Sequence, residues 1–271
     1  MMKLLKRILV TMLISSLIFS VLVGCGSNDS DKGSELPALP PDSSMSMDFS
    51  TFDAGKLAPS LPIPGKNYMN AAARVLAVDA AVITALAPSV TVFKAAKNAT
   101  PVSQDDGSYV WKYQIAYMGN EYKAELTGSV EGDKSLWSMK ITCPTIQPSL
   151  TDFEWYTGEC ASNNTSGTWR YFDYKYPDEA KENGNIEWSV SAIKESEVVF
   201  TSKNANSEIF GDILTYSLEG TTADMKYYDS SEDITADINW DIITGAGSIQ
   251  VPKYNSGERA YWNENRQDVA Q

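Results

Sequence analysis

The 271-residue chain carries 35 acidic against 22 basic side chains, a net charge of −13, and it contains no histidine. The missing imidazole excludes histidine-based triads, histidine metal ligands and the usual general base near neutral pH. The negative charge argues against nucleic acid and anionic lipid headgroups as partners, because both repel an acidic surface.

In chain order, Lys3, Lys6 and Arg7 precede an apolar run from Ile8 to Val23, broken only by Thr11, Ser15, Ser16 and Ser20. A positive start and a short apolar middle followed by the small residue Gly24 form a signal peptide over residues 1–24, wrongly flanked and too short for a membrane span. In place of an Ala-x-Ala site it ends Leu22-Val23-Gly24-Cys25, which resembles the lipobox of bacterial lipoproteins. The resemblance covers residues 1–25. It implies cleavage after Gly24, a thioether-linked diacylglycerol on Cys25 and an N-acyl chain such as palmitate on the new amine. The alternative is an ordinary signal peptide with a chance cysteine. Several acyl chains on one residue make a durable anchor. In Gram-negative lipoproteins Asp after the cysteine marks inner-membrane retention, so Gly26 implies an outer-membrane address, periplasmic or surface facing, in such an organism. Loss of Lys3, Lys6 and Arg7 with the signal takes the net charge to −16, which leaves the lipid to hold the protein at its membrane.

Residues 25–64 read as a lipidated, disordered tether, rich in Ser, Asp, Gly and Pro and too poor in apolar surface to offset chain entropy. Residues 65–271 form one β-rich domain that opens with helical sequence over 67–97. Asn67 is placed to cap that helix, and Pro88 to end or kink it. Only Arg74, Asp79 and Thr84 are polar between Ala71 and Leu86, so the helix is expected to be covered by sheet.

From residue 108 the pattern changes to period two. Tyr109, Trp111, Tyr113, Ile115 and Tyr117 alternate with Val110, Lys112, Gln114 and Ala116; Gly119-Asn120 is a tight-turn pair, and a strand over 121–130 follows. Further strands are expected at 135–142, 153–161, 168–176, 185–193, 196–203, 211–220, 222–229, 233–243 and 247–252, before a polar tail with Trp262 as its one large anchor. Short strands at this spacing indicate a mainly β fold: an antiparallel meander forming a curved sheet, half-barrel or barrel packed against a buried N-terminal helix.

Two cysteines remain once Cys25 is lipidated. Cys143 and Cys160 read as one disulfide in an oxidising compartment. That reading carries a condition: in a direct hairpin about Pro144–Pro148, Cys143 would face a residue near 153 and the bridge would be absent. Asp233, Asp237 and Asp241 share one strand face and are candidate ligands for a hard cation, or simply a solvated face, since carboxylates two apart on a strand do not converge. The sequence offers no catalytic signature. Seven tryptophans and fourteen tyrosines could stack on sugars or fill the core, and the many carboxylates could include a glycosidase pair.

Two function classes follow. The first is a non-enzymatic envelope lipoprotein, with no cofactor beyond the covalent diacylglycerol and N-acyl group on Cys25, that binds a lipid between sheet and helix or engages an envelope protein. Trp111, Tyr113 and Tyr122-Lys123-Ala124-Glu125-Leu126 resemble the Trp- and Leu-bearing strands of the outer-membrane lipoprotein acceptor, a half-barrel carrier, over about twenty residues. The second is an extracytoplasmic glycan hydrolase using carboxylates, or a carbohydrate-binding module.

Overall fold

The structure is a computed structural model that describes residues 35–52, 63–191 and 195–270, and only the backbone of 82–85 and of 87–88. The expected signal peptide and Cys25 lie outside the described residues. Residues 34–271 form one compact unit.

The fold is mainly β. Among the described residues fourteen strands form one antiparallel sheet whose spatial order is the chain order. They are β1 (Val102–Ser103), β2 (Tyr109–Tyr117), β3 (Asn120–Glu131), β4 (Lys134–Cys143), β5 (Leu150–Ala161), β6 (Ser166–Phe172), β7 (Glu182–Ser189), β8 (Ser196–Ser202), β9 (Ile213–Glu219), β10 (Thr222–Asp229), β11 (Ile234–Asp241), β12 (Gly247–Gln250), β13 (Ala260–Trp262) and β14 (Asp268–Val269). The sheet is not closed, since no pairing joins β14 to β1. Its turns follow glycine chemistry. Met118 and Gly119 both have positive φ between Tyr117 and its partner Asn120, the geometry of a two-residue hairpin turn, so the turn sits one residue before the expected Gly119-Asn120 pair.

One helix, α1 (Lys66–Ala95), lies against the concave side. Val92 O accepts a hydrogen bond from Tyr113 of β2 at 2.6 Å, and Phe93 packs edge-on against Trp169 of β6 with ring centroids 5.6 Å apart. In a flat sheet, strands four places apart lie ~19 Å from each other, so the sheet curls around this end of the helix. Tyr68, Ala71, Ala72, Val75 and Val78 are buried, while Met69, Ala73, Leu76 and Ala77 are exposed. The helix is therefore covered on one stripe and not all round, as its nearly uniform apolar sequence had suggested. It also passes through Pro88 without ending. A mid-helix proline removes one backbone hydrogen bond, and the burial of Val92, Phe93 and Ala96 holds the turns beyond it in place. No described helix is long and apolar enough to cross a membrane.

The helix start differs from the expected cap. Gly65 is the N-cap and makes no side-chain cap bond. Asp268 of β14 caps in its place, its carboxylate accepting from Lys66 N at 3.1 Å and Asn67 N at 2.9 Å. A Cβ at Gly65 would stand 2.2 Å from Asp268 Oδ1, so this approach needs glycine. Asn67 bonds Tyr261 O and Tyr254 Oη, tying the first turn to the C-terminal strands.

Residues 35–52, read from composition as tether, are packed. Met45, Phe49 and Phe52 belong to the core, 2–5% exposed. The segment passes along the concave side past β6, where Trp169 Nε1 donates to Ser44 Oγ, past β9, where Tyr216 Oη donates to Asp48 O, and on to Trp240 of β11 and Trp262 of β13, both stacked edge-on with Phe52. Lys97 pairs with Asp42 at 2.7 Å, fixing the segment to the far end of the helix. Apolar residues at 45, 49 and 52 supply burial that the average composition of 25–64 conceals, and prolines 37, 40 and 41 lower the entropy lost on ordering.

Candidate functional site

The paired cysteines are not bonded to each other. β4 and β5 are the direct hairpin: Cys143 faces Leu150, and Cys160 faces Ser135 at the other end. Eight residues of β4 separate those positions, about 26 Å of strand. Cys143 and Cys160 are free, buried thiols, which corrects the expected disulfide. Trp137 Nε1 donates to Cys160 Sγ at 3.4 Å, and burial pushes the Cys160 thiol pKa up, so it behaves as an inert packed group.

The carboxylates of β11 are not brought together. Asp237 pairs with Arg259 at 2.9 Å. Asp241 accepts from the Thr221 hydroxyl and from Thr244 N, which hold its pKa down to about 2. Asp233 accepts from Tyr228 Oη at 3.0 Å. Each has its own protein partner, and among the described residues no group of three His, Cys, Asp or Glu side chains is arranged to hold a metal ion. On the opposite face Ala236, Ile238 and Trp240 are buried, the alternation expected of a half-solvated strand. All seven tryptophans are buried at 6% exposure or less, so none forms an exposed sugar-stacking platform.

The candidate site is a crevice between the middle of α1 and the upper ends of β5 to β12. It has two lobes, about 460 and 530 Å³, separated by a constriction under Val78, Ala81, Ile209 and Tyr227. Ala81 and Ile209 border both lobes. Such volumes suit a small ligand. The smaller lobe has an apolar floor of Ala77, Val78, Ala236 and Val251, with Arg74, Asp229 and the Lys253–Glu232 ion pair at its edge. The larger lobe has an aromatic floor of Trp155, Tyr171, Phe172 and Phe200 and a polar rim that includes Asp173, Asn183 and Asn204.

Two irregularities in strand pairing build the larger lobe. Between β4 and β5, Tyr156 pairs with Met139 and Glu154 with Lys140, which leaves Trp155 as an extra residue. Trp155 and Tyr156 are consequently both buried, and Trp155 stacks on Tyr122 with rings 6.0 Å apart. Between β6 and β7, Tyr171 pairs with Gly184 and Phe172 with Glu182, so Asn183 is the extra residue. Bulges re-aim side chains in this way. Reasoning from alternation passed over both. The adjacent aromatics Trp155-Tyr156, which cannot both face inward on a regular strand, were the available signal for the first.

Two of the carboxylates around the crevice are tied to neighbouring loops and strands. Asp173 accepts from Asn204 Nδ2 and Lys175 N. Asp212 accepts from Tyr227 Oη and Ser230 Oγ. Burial, and then the Asp212 hydrogen bond, keep the Tyr227 phenol pKa well above its ordinary value.

Comparison of the chain with protein-family models, with curated proteins and with solved structures finds no match.

Proposed function

We propose that this chain is a lipid-anchored cell-envelope protein that binds a small amphipathic molecule in the crevice between α1 and the sheet, without catalysing a reaction on it. The observation that carries this reading is the crevice itself, with an aromatic and aliphatic floor beneath a polar rim. The anchor rests on the lipobox at Leu22–Cys25. The diacylglycerol and N-acyl chain on Cys25 would then hold the protein at its membrane, the outer membrane in a Gram-negative organism. Against a glycan hydrolase stand the burial of every tryptophan and the engagement of Asp173 and Asp212 by neighbouring side chains.

The test uses residues 34–271, a compact unit with its own core. Purified natively, this unit is expected to retain a small molecule identifiable by mass spectrometry and to bind a fluorescent fatty-acid analogue saturably. A ligand-free protein that also ignores the probe would contradict the binding role. For the anchor, full-length Cys25→Ala is expected to leave the membrane fraction on flotation, and persistent flotation would contradict it.

A further inference from the structure

The two lobes of the crevice meet at a neck beneath one turn of α1. Val78, Ala81, Ile209 and Tyr227 border both the smaller lobe and the neck, while Ala81, Phe200 and Ile209 border both the neck and the larger lobe. The neck encloses about 10 Å³, roughly the room of one water-sized group. The surface turned into it is apolar. Its two polar neighbours face each other: Tyr227 Oη donates to Asp212, which also accepts from Ser230 N and Ser230 Oγ. A polar group placed in the neck would exchange water for apolar walls, at a cost; a methylene group there gains burial. The helix leaves this room by presenting small side chains. Ala77 and Ala81, one turn apart, line the smaller lobe, whereas Tyr68, Val75 and Phe93 elsewhere on α1 pack into the core. Arg74 and Ala81 both line that lobe, so it runs along about 10 Å of helix.

We propose that the two lobes are one site for a single unbranched acyl chain, which runs from the smaller lobe through the neck into the larger one with its middle methylenes under Ala81. This rests on the crevice being a ligand site. The neck sets the ligand class. A ring system or a branched body fits a lobe but is wider than a passage of this size, and a headgroup stays at a polar margin because only hydrocarbon crosses the neck without loss. A chain short enough for one lobe leaves the other empty. A longer chain gains the apolar floors of both, Val78 and Val251 on one side and Trp155 and Phe172 on the other.

The experiment titrates octanoate, laurate and palmitate, each below its aggregation limit, into residues 34–271, and counts the bound chains by native mass spectrometry. One palmitate per protein is expected, with affinity rising along the series by about fourfold for each methylene that becomes buried. Ala81→Trp and Ile209→Trp narrow the neck from the helix and from the loop before β9. Each is expected to weaken palmitate at least tenfold and to leave octanoate within about twofold of the parent. The series and the count use the parent protein, so they stand even where a variant fails to fold. An affinity that levels off at octanoate, two palmitates per protein, or equal weakening of octanoate and palmitate in a folded variant would overturn the proposal and leave the crevice a ligand site. Failure of all three acids to bind would sink both.

Discussion

At the level of single residues, the concave face is built by alternating the smallest side chain with the largest. Across one level of the sheet Gly128, Trp137, Gly158 and Trp169 stand opposite one another in register on β3 to β6, and Trp240, Gly247 and Trp262 repeat the pattern on β11 to β13. The Trp137 indole lies over Gly128, that of Trp169 over Gly158 and that of Trp262 over Gly247. A Cβ at Gly158 would be 2.2 Å from Trp169 Cε3, and at Gly247 2.4 Å from Trp262 Cζ2. Gly158→Ala is therefore expected to destabilise the fold by ~1–3 kcal/mol, the usual cost of overpacking, in denaturant melts; an unchanged midpoint would show that the indole can simply step aside. On the outer face, Asp241 sets an acid limit. Its folded pKa of about 2 lies below the ordinary carboxyl value of 3.8, so between about pH 4 and pH 2 the unfolded chain binds a proton that the folded chain refuses, and stability falls as pH drops through that window. Asp241→Asn is expected to remove this contribution, so the stability difference from the parent should shrink from about pH 5 to about pH 2. A difference that does not vary with pH would contradict the assignment.

Two elements owe their position to distant parts of the chain. The N-terminus of α1 is capped from β14 by Asp268. Asp268→Ala is expected to cost ~0.5–2 kcal/mol, the range for losing an N-cap acceptor, with calorimetry or denaturant unfolding as the measurement; a loss no larger than that of an exposed loop substitution would rule the cap out. The segment ending in Phe52 is an inner layer of the domain. Phe52 packs against Tyr68, Trp240 and Trp262, so Phe52→Ala is expected to cost ~3–5 kcal/mol, whereas residues in a free tether would cost nothing measurable. Sequence reasoning found the helix and eleven strands because their periodicity is local. It missed the short β1, β13 and β14, which have too few residues to show a period, and it passed the helix's cap to Asn67 because a partner two hundred residues away leaves no local trace. It read Cys143 and Cys160 as a disulfide that a direct hairpin would forbid, and the strands form that hairpin, with both thiols free.

For the whole molecule, residues 35–52 belong to the folded unit. If Cys25 carries the lipid, about ten residues join it to the folded unit, ~35 Å of fully extended chain, where a forty-residue tether would reach several times further. The segment enters beside Gly128 and the β5–β6 turn, where Asn164 Nδ2 donates to Ala38 O. In an antiparallel meander alternate turns lie at opposite ends, so the loops before β7 and β9 that rim the crevice stand at the other end of the sheet. The crevice was foreseeable as a space between helix and sheet, but not its lining, since that depends on two bulges. The central claim is that this space holds a ligand. It is tested most directly by filling it: Ala81 borders both lobes, and Ala81→Trp in residues 34–271 should occupy the constriction. Titration with the fluorescent fatty-acid analogue is expected to show saturable binding to the parent, weakened at least tenfold by Ala81→Trp, about 1.4 kcal/mol, with the circular dichroism spectrum retained. Equal binding by the two proteins would place the probe elsewhere and contradict the account.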